Sequence, residues 1–152
     1  MLAEVRGDHA FGSRVMARFL DGVDDPSATR PYYRLLGLRA EAGEPAGRSK
    51  LVLESRTDLE NSRGDVHGGV IASLLDAAMG VAVRSALKAG EGATTVSLTV
   101  NYLAPGRGTL VARGRVVRAG RTLASVEADV VDAAGNMAAH AVSTMRIVAG
   151  KS

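Results

Sequence analysis

The sequence predicts one α+β domain in which a single long helix comes before most of an antiparallel sheet. A helical pattern of apolar residues begins at Val70 and ends near Lys88. Long β segments separated by short turns follow it, and strands joined by short turns pair antiparallel. A length of 152 residues suits one domain with one hydrophobic core.

The part of the chain before the long helix divides into an extension and the beginning of the sheet. We expect residues 1–34 to form an N-terminal helical extension and residues 35–150 to form the main domain. Apolar residues at helical spacing end at a glycine in the extension, and alternating residues around a Gly/Pro turn predict a hairpin in the domain. The elements predicted here are a helix at 11–21, a helical turn at 32–36, and strands at 37–42 and 50–56.

The long helix begins abruptly at His67, Gly68 and Gly69. Its core face is an apolar stripe at helical spacing, formed by Val70, Ile71, Leu74, Leu75, Ala78, Val81 and Ala82. The first turn of a helix carries unsatisfied N–H groups and a partial positive charge, and glycines leave those groups uncovered. The start of this helix therefore predicts a binding position for a polarised oxygen.

The strands after the helix are bounded by glycine, proline and asparagine, which favour turns. These strands are predicted at 94–103, 109–119, 121–132 and 137–148. We see no internal repeat and no low-complexity segment.

Asp76 is the only carboxylate of the long helix, and it lies on the face opposite the apolar stripe. An ordinary surface helix carries several charged residues on that face. Here the neighbours of Asp76 are small or apolar, namely Gly69, Ser73, Gly80, Val83 and Leu87. The helix is therefore predicted to be buried on both sides, and a carboxylate in such surroundings is a candidate for a functional site. The alternative is a solvated aspartate on an exposed face.

Gly68 and Asp76 are eight residues apart, which corresponds to about 12 Å along the helix axis. An oxyanion donor and a base or nucleophile must each come within about 3 Å of the reacting group. One helix cannot supply both groups to the same carbonyl. If both act together, the second group comes from another copy of the chain, so this chemistry implies a homodimer.

Composition argues against several classes of protein. The chain has no cysteine, which excludes disulfides, thiolate nucleophiles and Cys-bound zinc, and its three scattered histidines do not suggest a metal site. A net charge of +3 with only three Tyr and two Phe does not suggest a nucleic-acid partner. We see no apolar leader and no long uninterrupted apolar run, so we expect a cytoplasmic protein with no membrane partner.

Asn61, the triplet His67-Gly68-Gly69 and Asp76 together resemble the motif of the PaaI-like (phenylacetate-pathway type) hotdog-fold thioesterases. Residues 100–105, which read VNYLAP, are similar to a strand end of the same family, and the resemblance covers about residues 35–148. It implies a hotdog fold, in which an antiparallel sheet of five to six strands wraps a long central helix. It also implies that the sheets of two protomers join edge to edge.

The resemblance gives four residues a catalytic role. Asp76 is expected to act as the general base on water or as the nucleophile, and the Gly68 N–H as the donor that polarises the thioester carbonyl. Asn61 is expected to help hold the thioester or the water, and Thr95 to supply a hydroxyl that assists the water from the partner protomer. The residues alone leave other readings open: a packing glycine, a turn asparagine and a threonine that favours a strand.

Five further residues are candidates for substrate binding. His67 is expected to line the site rather than act as a base, and Gly69 to allow close approach of the backbone. Met79 is expected to line the acyl pocket. Arg118 and Arg121 belong to a group of arginines that either binds the CoA phosphates or lies on a solvated hairpin.

The sequence thus predicts an acyl-CoA thioesterase that consumes water and releases a carboxylic acid and free CoA. It needs no metal and no cofactor beyond the CoA of its substrate, and it works as a homodimer that is expected to form a homotetramer. Two alternatives are a hotdog hydratase or dehydratase acting on acyl thioesters and a non-catalytic acyl-CoA sensor. Acyl-carrier protein is an alternative thiol carrier, and the acyl group is not predicted.

Overall fold

The computed structural model describes residues 30–149, so the helix predicted at 11–21 lies outside the described residues. Two helices are present, α1 (Pro31–Leu36) and α2 (Gly68–Ala86), with a short 3-10 turn at Thr57–Leu59 between them. The strands are β1 (Arg39–Ala40), β2 (Arg48–Glu54), β3 (Glu91–Tyr102), β4 (Thr109–Ala119), β5 (Leu123–Val131) and β6 (Met137–Ala149).

All six strands belong to one antiparallel sheet with the order β1-β2-β4-β5-β6-β3. The helix α2 packs across one face of this sheet and contacts β2, β3, β4, β5 and β6. This arrangement confirms the predicted α+β class with one central helix and an antiparallel sheet. The order also leaves β3, a strand of 12 residues, at one edge of the sheet.

The hydrophobic core lies between α2 and the inner face of the sheet. Six of the seven residues predicted for the apolar stripe of α2 are buried there: Ile71, Leu74, Leu75, Ala78, Val81 and Ala82. The sheet contributes many alanines, including Ala112, Ala128 and Ala141, which let the helix backbone approach closely. At Gly114 the approach is so close that an added Cβ would lie 2.6 Å from the carbonyl oxygen of Ala78.

The opposite face of α2 is largely covered, as the sequence predicted. Met79, Gly80, Val83 and Leu87 are buried, whereas Gly69 at the helix start is exposed. The short helix α1 lies against this face and is joined to it by a hydrogen bond of 2.8 Å between the Tyr32 and Ser73 hydroxyls. Because α1 spans the boundary predicted at residue 34, the last residues of the extension pack directly on the main domain.

One irregularity in β3 decides which of its side chains face α2. The pairing of β3 with β6 shifts between Thr95 and Ser97, so Val96 forms a β-bulge. A bulge adds one residue to a strand and reverses the alternation of side chains beyond it. Thr95 and Tyr102 are therefore both on the inner face, since they pair with the buried residues Met145 and Ala139.

The helix α2 is also the one helix in residues 30–149 that is long and apolar enough to cross a membrane by length and composition. Within the fold, 61% of the most apolar 18-residue segment of α2 is buried. The core helix of a globular protein passes the same test, and the sheet around α2 gives it that role.

Candidate active site

The helix start presents one N–H group that has no acceptor. His67 caps α2: its Nδ1 accepts the N–H of Gly69 at 2.9 Å, and its carbonyl accepts the N–H groups of Val70 and Ile71. Among the described residues, nothing accepts the N–H of Gly68. Of the two glycines, Gly68 is therefore the one that can donate to a ligand, and the positive end of the helix dipole adds to the attraction for an oxygen.

His67 has a capping role at the start of α2, and the expectation that it is not a base stays a prediction. The bond from Gly69 uses the lone pair of Nδ1, so in this tautomer the proton of the ring is on Nε2. An added Cβ at Gly69 would lie 3.1 Å from Nδ1 of His67, so this glycine leaves room for the cap. Gly69 thus supports the geometry of the helix start without offering its own N–H.

Tyr102, which was not among the predicted site residues, holds the other side of Gly68. Its hydroxyl donates to the Gly68 carbonyl at 2.8 Å, and its ring would lie 3.3 Å from an added Cβ at that position. The C-terminal end of β3 is thereby fixed against the first turn of α2. The sequence signal was the VNYLAP segment, where Tyr102 was quoted for the resemblance but given no role.

A pocket of about 340 Å³ opens beside Gly68. It is lined by the helix start and by the two loops that precede α2 and follow β3: Asn61, Asp65, Val66, Gly68, Ile71, Tyr102, Leu103, Ala104, Pro105 and Gly106. The buried carboxylate of Asp65 accepts a 2.6 Å bond from Nε of Arg107, which ties these two loops together. The pocket combines an apolar wall with a free N–H donor, which suits a bound carbonyl group.

Asn61 lies in this pocket, but its carbonyl oxygen is already used. Its Oδ1 accepts the N–H groups of Arg63 at 2.8 Å and Asp65 at 3.3 Å, which is the turn role that the residue type alone allows. The NH₂ of Asn61 has no acceptor within the described residues. Asn61 can therefore take part in binding as a donor, while its oxygen holds the loop.

Asp76 lies in a second group of residues, away from this pocket. It is half-buried, and its Oδ1 accepts a 2.7 Å hydrogen bond from the Thr95 hydroxyl of the same chain, whereas the resemblance implied a hydroxyl that acts from the partner protomer. Neither residue lines the pocket at Gly68, and eight residues of helix separate Gly68 from Asp76, or about 12 Å along the axis. One chain therefore holds two separate groups of residues, which are called half-sites below. The Gly68 half-site offers an N–H donor, and the Asp76 half-site offers an oriented carboxylate.

Three predicted binding residues lie outside both half-sites. Met79 has no exposed surface and belongs to the hydrophobic core, so in a single chain it is a packing residue. Arg118 is exposed on β4, where it pairs with Ser125 on the outer face of the sheet, and Arg121 is in the β4–β5 turn. Contacts of these side chains with an acyl group or with CoA phosphates stay a prediction. Within residues 30–149, no group of three or more His, Cys, Asp or Glu residues is placed to hold a metal ion.

Comparison with known proteins connects this geometry to a family. The model of the thioesterase superfamily matches residues 63–139, which include Gly68, Asp76 and Thr95. A candidate esterase of Halobacterium salinarum is 48% identical over 80 residues, which cover 51% of this chain and 53% of that protein. The chain thus spans about half the length of that relative.

Solved structures share the fold. The PaaI protein of E. coli, from the phenylacetic acid degradation operon, superposes with a TM-score of 0.78 at 19% identity, covering 94% of this chain and 97% of that one. A Streptococcus mutans protein solved with bound acetyl-CoA has a TM-score of 0.68 at 30% identity, covering 76% and 91% of the two chains.

The matched region contains the helix start, the carboxylate and the strand that holds it, all within the shared fold. The chain therefore belongs to the thioesterase superfamily, and it has the hotdog fold that its resemblance to the PaaI-like proteins implied.

Proposed function

We propose that the chain is an acyl-CoA thioesterase whose active site is built from two protomers. The observation that carries this proposal is the unpaired N–H of Gly68 beside a pocket, about 12 Å along the helix from the oriented carboxylate of Asp76. The relative from Streptococcus mutans that was solved with acetyl-CoA supports a CoA thioester as the ligand.

The proposed reaction uses the two half-sites on one carbonyl. The Gly68 N–H and the helix dipole stabilise the negative charge that develops on the carbonyl oxygen. Asp76 either removes a proton from the water that attacks the carbonyl carbon, or attacks that carbon itself to form an anhydride that water then cleaves. Both routes break the C–S bond and give a carboxylic acid and the free thiol of CoA. No cofactor other than the substrate's own CoA is needed.

The free edge of the sheet indicates how two protomers meet. Along β3, Thr95 holds Asp76 and Tyr102 holds Gly68. A two-fold axis midway between them, near Leu98 and Thr99, pairs β3 with its symmetry copy in antiparallel fashion. This pairing puts Thr95 opposite Tyr102 of the partner protomer, and so brings Asp76 of one chain towards Gly68 of the other.

The exposure of β3 supports this pairing. In the single chain Val96 is 60% exposed and Leu98 is 36% exposed, and the edge presents a row of unpaired backbone groups. A long, apolar edge strand is a liability unless another strand covers it. We propose a second copy of the chain as that cover, and a homotetramer as the further assembly of two such dimers.

The hydratase alternative is less well supported, because it would need a histidine as an acid or base. Nδ1 of His67 is engaged by the N–H of Gly69 at the helix cap. A non-catalytic sensor would bind the thioester but release no thiol. Measurement of free thiol from a panel of acyl-CoA substrates separates hydrolysis from both alternatives.

Two variants test the shared site directly. Asp76→Asn should fold and dimerise but lose at least about 10²-fold in rate, because the base or nucleophile is gone. Gly68→Pro removes the N–H and adds a ring at the first helical position, where proline fits and where His67 already has the extended ψ of 137° that proline requires. It should lose about 10²- to 10³-fold in kcat. Gly68→Ala is the matched control, since it adds a Cβ but keeps the N–H.

Mixing the two inactive variants decides whether the site is shared. A heterodimer of Asp76→Asn and Gly68→Pro has one site with both lesions and one intact site, so it should recover about half of the wild-type activity. No recovery in mixed dimers, confirmed by native mass spectrometry, would disprove the two-protomer site.

A further inference from the structure

Arg84 is the only cation of α2, and it lies on the same side of the helix as Asp76. Residues four and eight positions beyond Asp76 are Gly80 and Arg84. Such spacing places all three on one side of the helix. The only two charged side chains of α2 are thus on one face, and they have opposite charges.

The guanidinium of Arg84 reaches back towards Asp76. Its Nη1 lies 3.2 Å from the position that a Cβ on Gly80 would occupy, so the side chain lies over that glycine. Long helical side chains point towards the N-terminus in this way. Because Gly80 has no side chain, the guanidinium lies over a residue that is four positions, or about 6 Å along the axis, from Asp76.

Both charged residues face the same strand. Asp76 accepts its hydrogen bond from Thr95, and Arg84 donates from Nη2 to the Ala93 carbonyl over a long 3.4 Å. Ala93 and Thr95 are both inner-face residues of β3, since they pair with Ile147 and Met145. The carboxylate of Asp76 and the guanidinium of Arg84 therefore lie along the same stretch between α2 and β3.

Arg84 has no acidic partner among the described residues. It is half-buried, and none of the ion pairs within residues 30–149 includes it. A second cation lies nearby: the guanidinium of Arg30 stacks 4.9 Å from the ring centre of Tyr33. Burial lowers the pKa of Arg30, and repulsion from Arg84 contributes to the same change. Because Arg84 itself has no ion-pair partner within residues 30–149, its guanidinium is a candidate to bind an anion.

We propose that Arg84 binds a carboxylate at the far end of the acyl group, so that the substrates are CoA thioesters of short dicarboxylic acids. The proposal rests on the proposed function and names its substrate class. The second carboxylate would accept a two-point hydrogen bond from the guanidinium, which is the strongest pairing that arginine makes. Arg84 would thus select the acyl group without taking part in the hydrolysis of the thioester.

The first test compares acyl groups of equal length. Wild-type protein should hydrolyse glutaryl-CoA with a kcat/KM at least about tenfold above that for pentanoyl-CoA, and adipyl-CoA likewise above hexanoyl-CoA. Arg84→Met should abolish this preference, mainly through KM, and leave pentanoyl-CoA hydrolysis unchanged. Arg84→Lys keeps the charge but cannot make the two parallel hydrogen bonds of a guanidinium. It should therefore keep part of the preference. Arg146→Met is the control, because Arg146 is exposed on β6 and should not affect the preference.

Other outcomes would overturn the proposal. Equal losses on all CoA thioesters in Arg84→Met would place the guanidinium on the CoA phosphates, and a shift to monomers in sedimentation would place it in the dimer contact. If no thioester in the panel is hydrolysed, the proposed function fails, but the binding site can still be tested. Calorimetry on Asp76→Asn protein should show tighter binding of glutaryl-CoA than of pentanoyl-CoA, and equal affinities would end the proposal.

Discussion

At the scale of single residues, the contact between Thr95 and Asp76 determines how the carboxylate is presented. The 2.7 Å bond from the hydroxyl fixes Oδ1, which leaves the second carboxylate oxygen for water or substrate. Thr95 therefore acts on Asp76 and positions it. The same strand brings Tyr102 to Gly68, so one strand contacts both of the groups that are proposed to act on the thioester.

This contact predicts a difference between two substitutions at position 95. Thr95→Val keeps the shape but removes the donor, so kcat should fall by about tenfold or more, the scale of a lost hydrogen bond to a charged group. Thr95→Ser keeps the hydroxyl and should stay close to wild type. Steady-state kinetics of both variants test this, and equal rates would show that the hydroxyl has no effect on Asp76.

The sequence was sufficient to predict the relative position of candidate residues that belong to one element. Gly68 and Asp76 share a helix, so their separation follows from helix geometry. The contacts of Thr95 and Tyr102 with α2 could not be predicted in this way. Seven residues apart, they would point to opposite faces of a regular strand, and only the bulge at Val96 brings both to the inner face.

At the scale of elements, the position of Asp76 depends on how closely α2 lies against the sheet. Gly114 on β4 makes room for the helix backbone, because an added Cβ would lie 2.6 Å from both the Ala78 carbonyl oxygen and the Ser49 hydroxyl. Ser49 in turn donates to that carbonyl at 2.7 Å. This contact is two residues from Asp76 in sequence. The distance between the sheet and the carboxylate therefore depends on it.

Gly114→Ala should therefore reduce both stability and activity. Overpacking of this kind costs about 1–3 kcal/mol, and the displaced helix moves Asp76 away from its working position. Gly92→Ala is the matched control on β3, since its added Cβ meets only Val148 at an ordinary 3.6 Å, and its effect should stay within about 0.5 kcal/mol. Urea denaturation measures the stabilities, and similar values for the two variants would contradict the close contact.

Element bounds were predicted well where turn residues stand on both sides, as for β4, which was expected at 109–119 and spans Thr109–Ala119. The first strand was predicted at 37–42 but contains only Arg39–Ala40. Gly37 adopts a left-handed φ of 73° and ends α1, and the N–H of Leu38 bonds back to the Tyr33 carbonyl. These backbone groups are occupied by the helix end, so they cannot pair with β2.

At the scale of the whole molecule, the proposed dimer predicts which residues lie near the two-fold axis. The chain has no cysteine, so a single introduced thiol reports on one position only. Thr99→Cys, near the proposed axis on β3, should form a disulfide-linked dimer under mild oxidation and keep its activity, because the two Cα atoms fall within the distance of about 4.4–6.8 Å that a disulfide needs.

Ser125→Cys gives the comparison for this experiment. Ser125 is exposed on β5, in the interior of the sheet and two strands from the β3 edge. Its thiol should not cross-link the dimer. Non-reducing gels read out both variants, and efficient cross-linking through position 125 with none through position 99 would rule out the β3 pairing.

The edge position of β3 has a further consequence for how this protein behaves on dilution. The strand that would be covered in the assembly is the one that carries the anchors of both half-sites. A separated subunit would thus lose activity. It would also expose the apolar edge of β3, to which other chains can add as strands and so aggregate. Catalytic competence and resistance to precipitation would rise and fall together with subunit concentration.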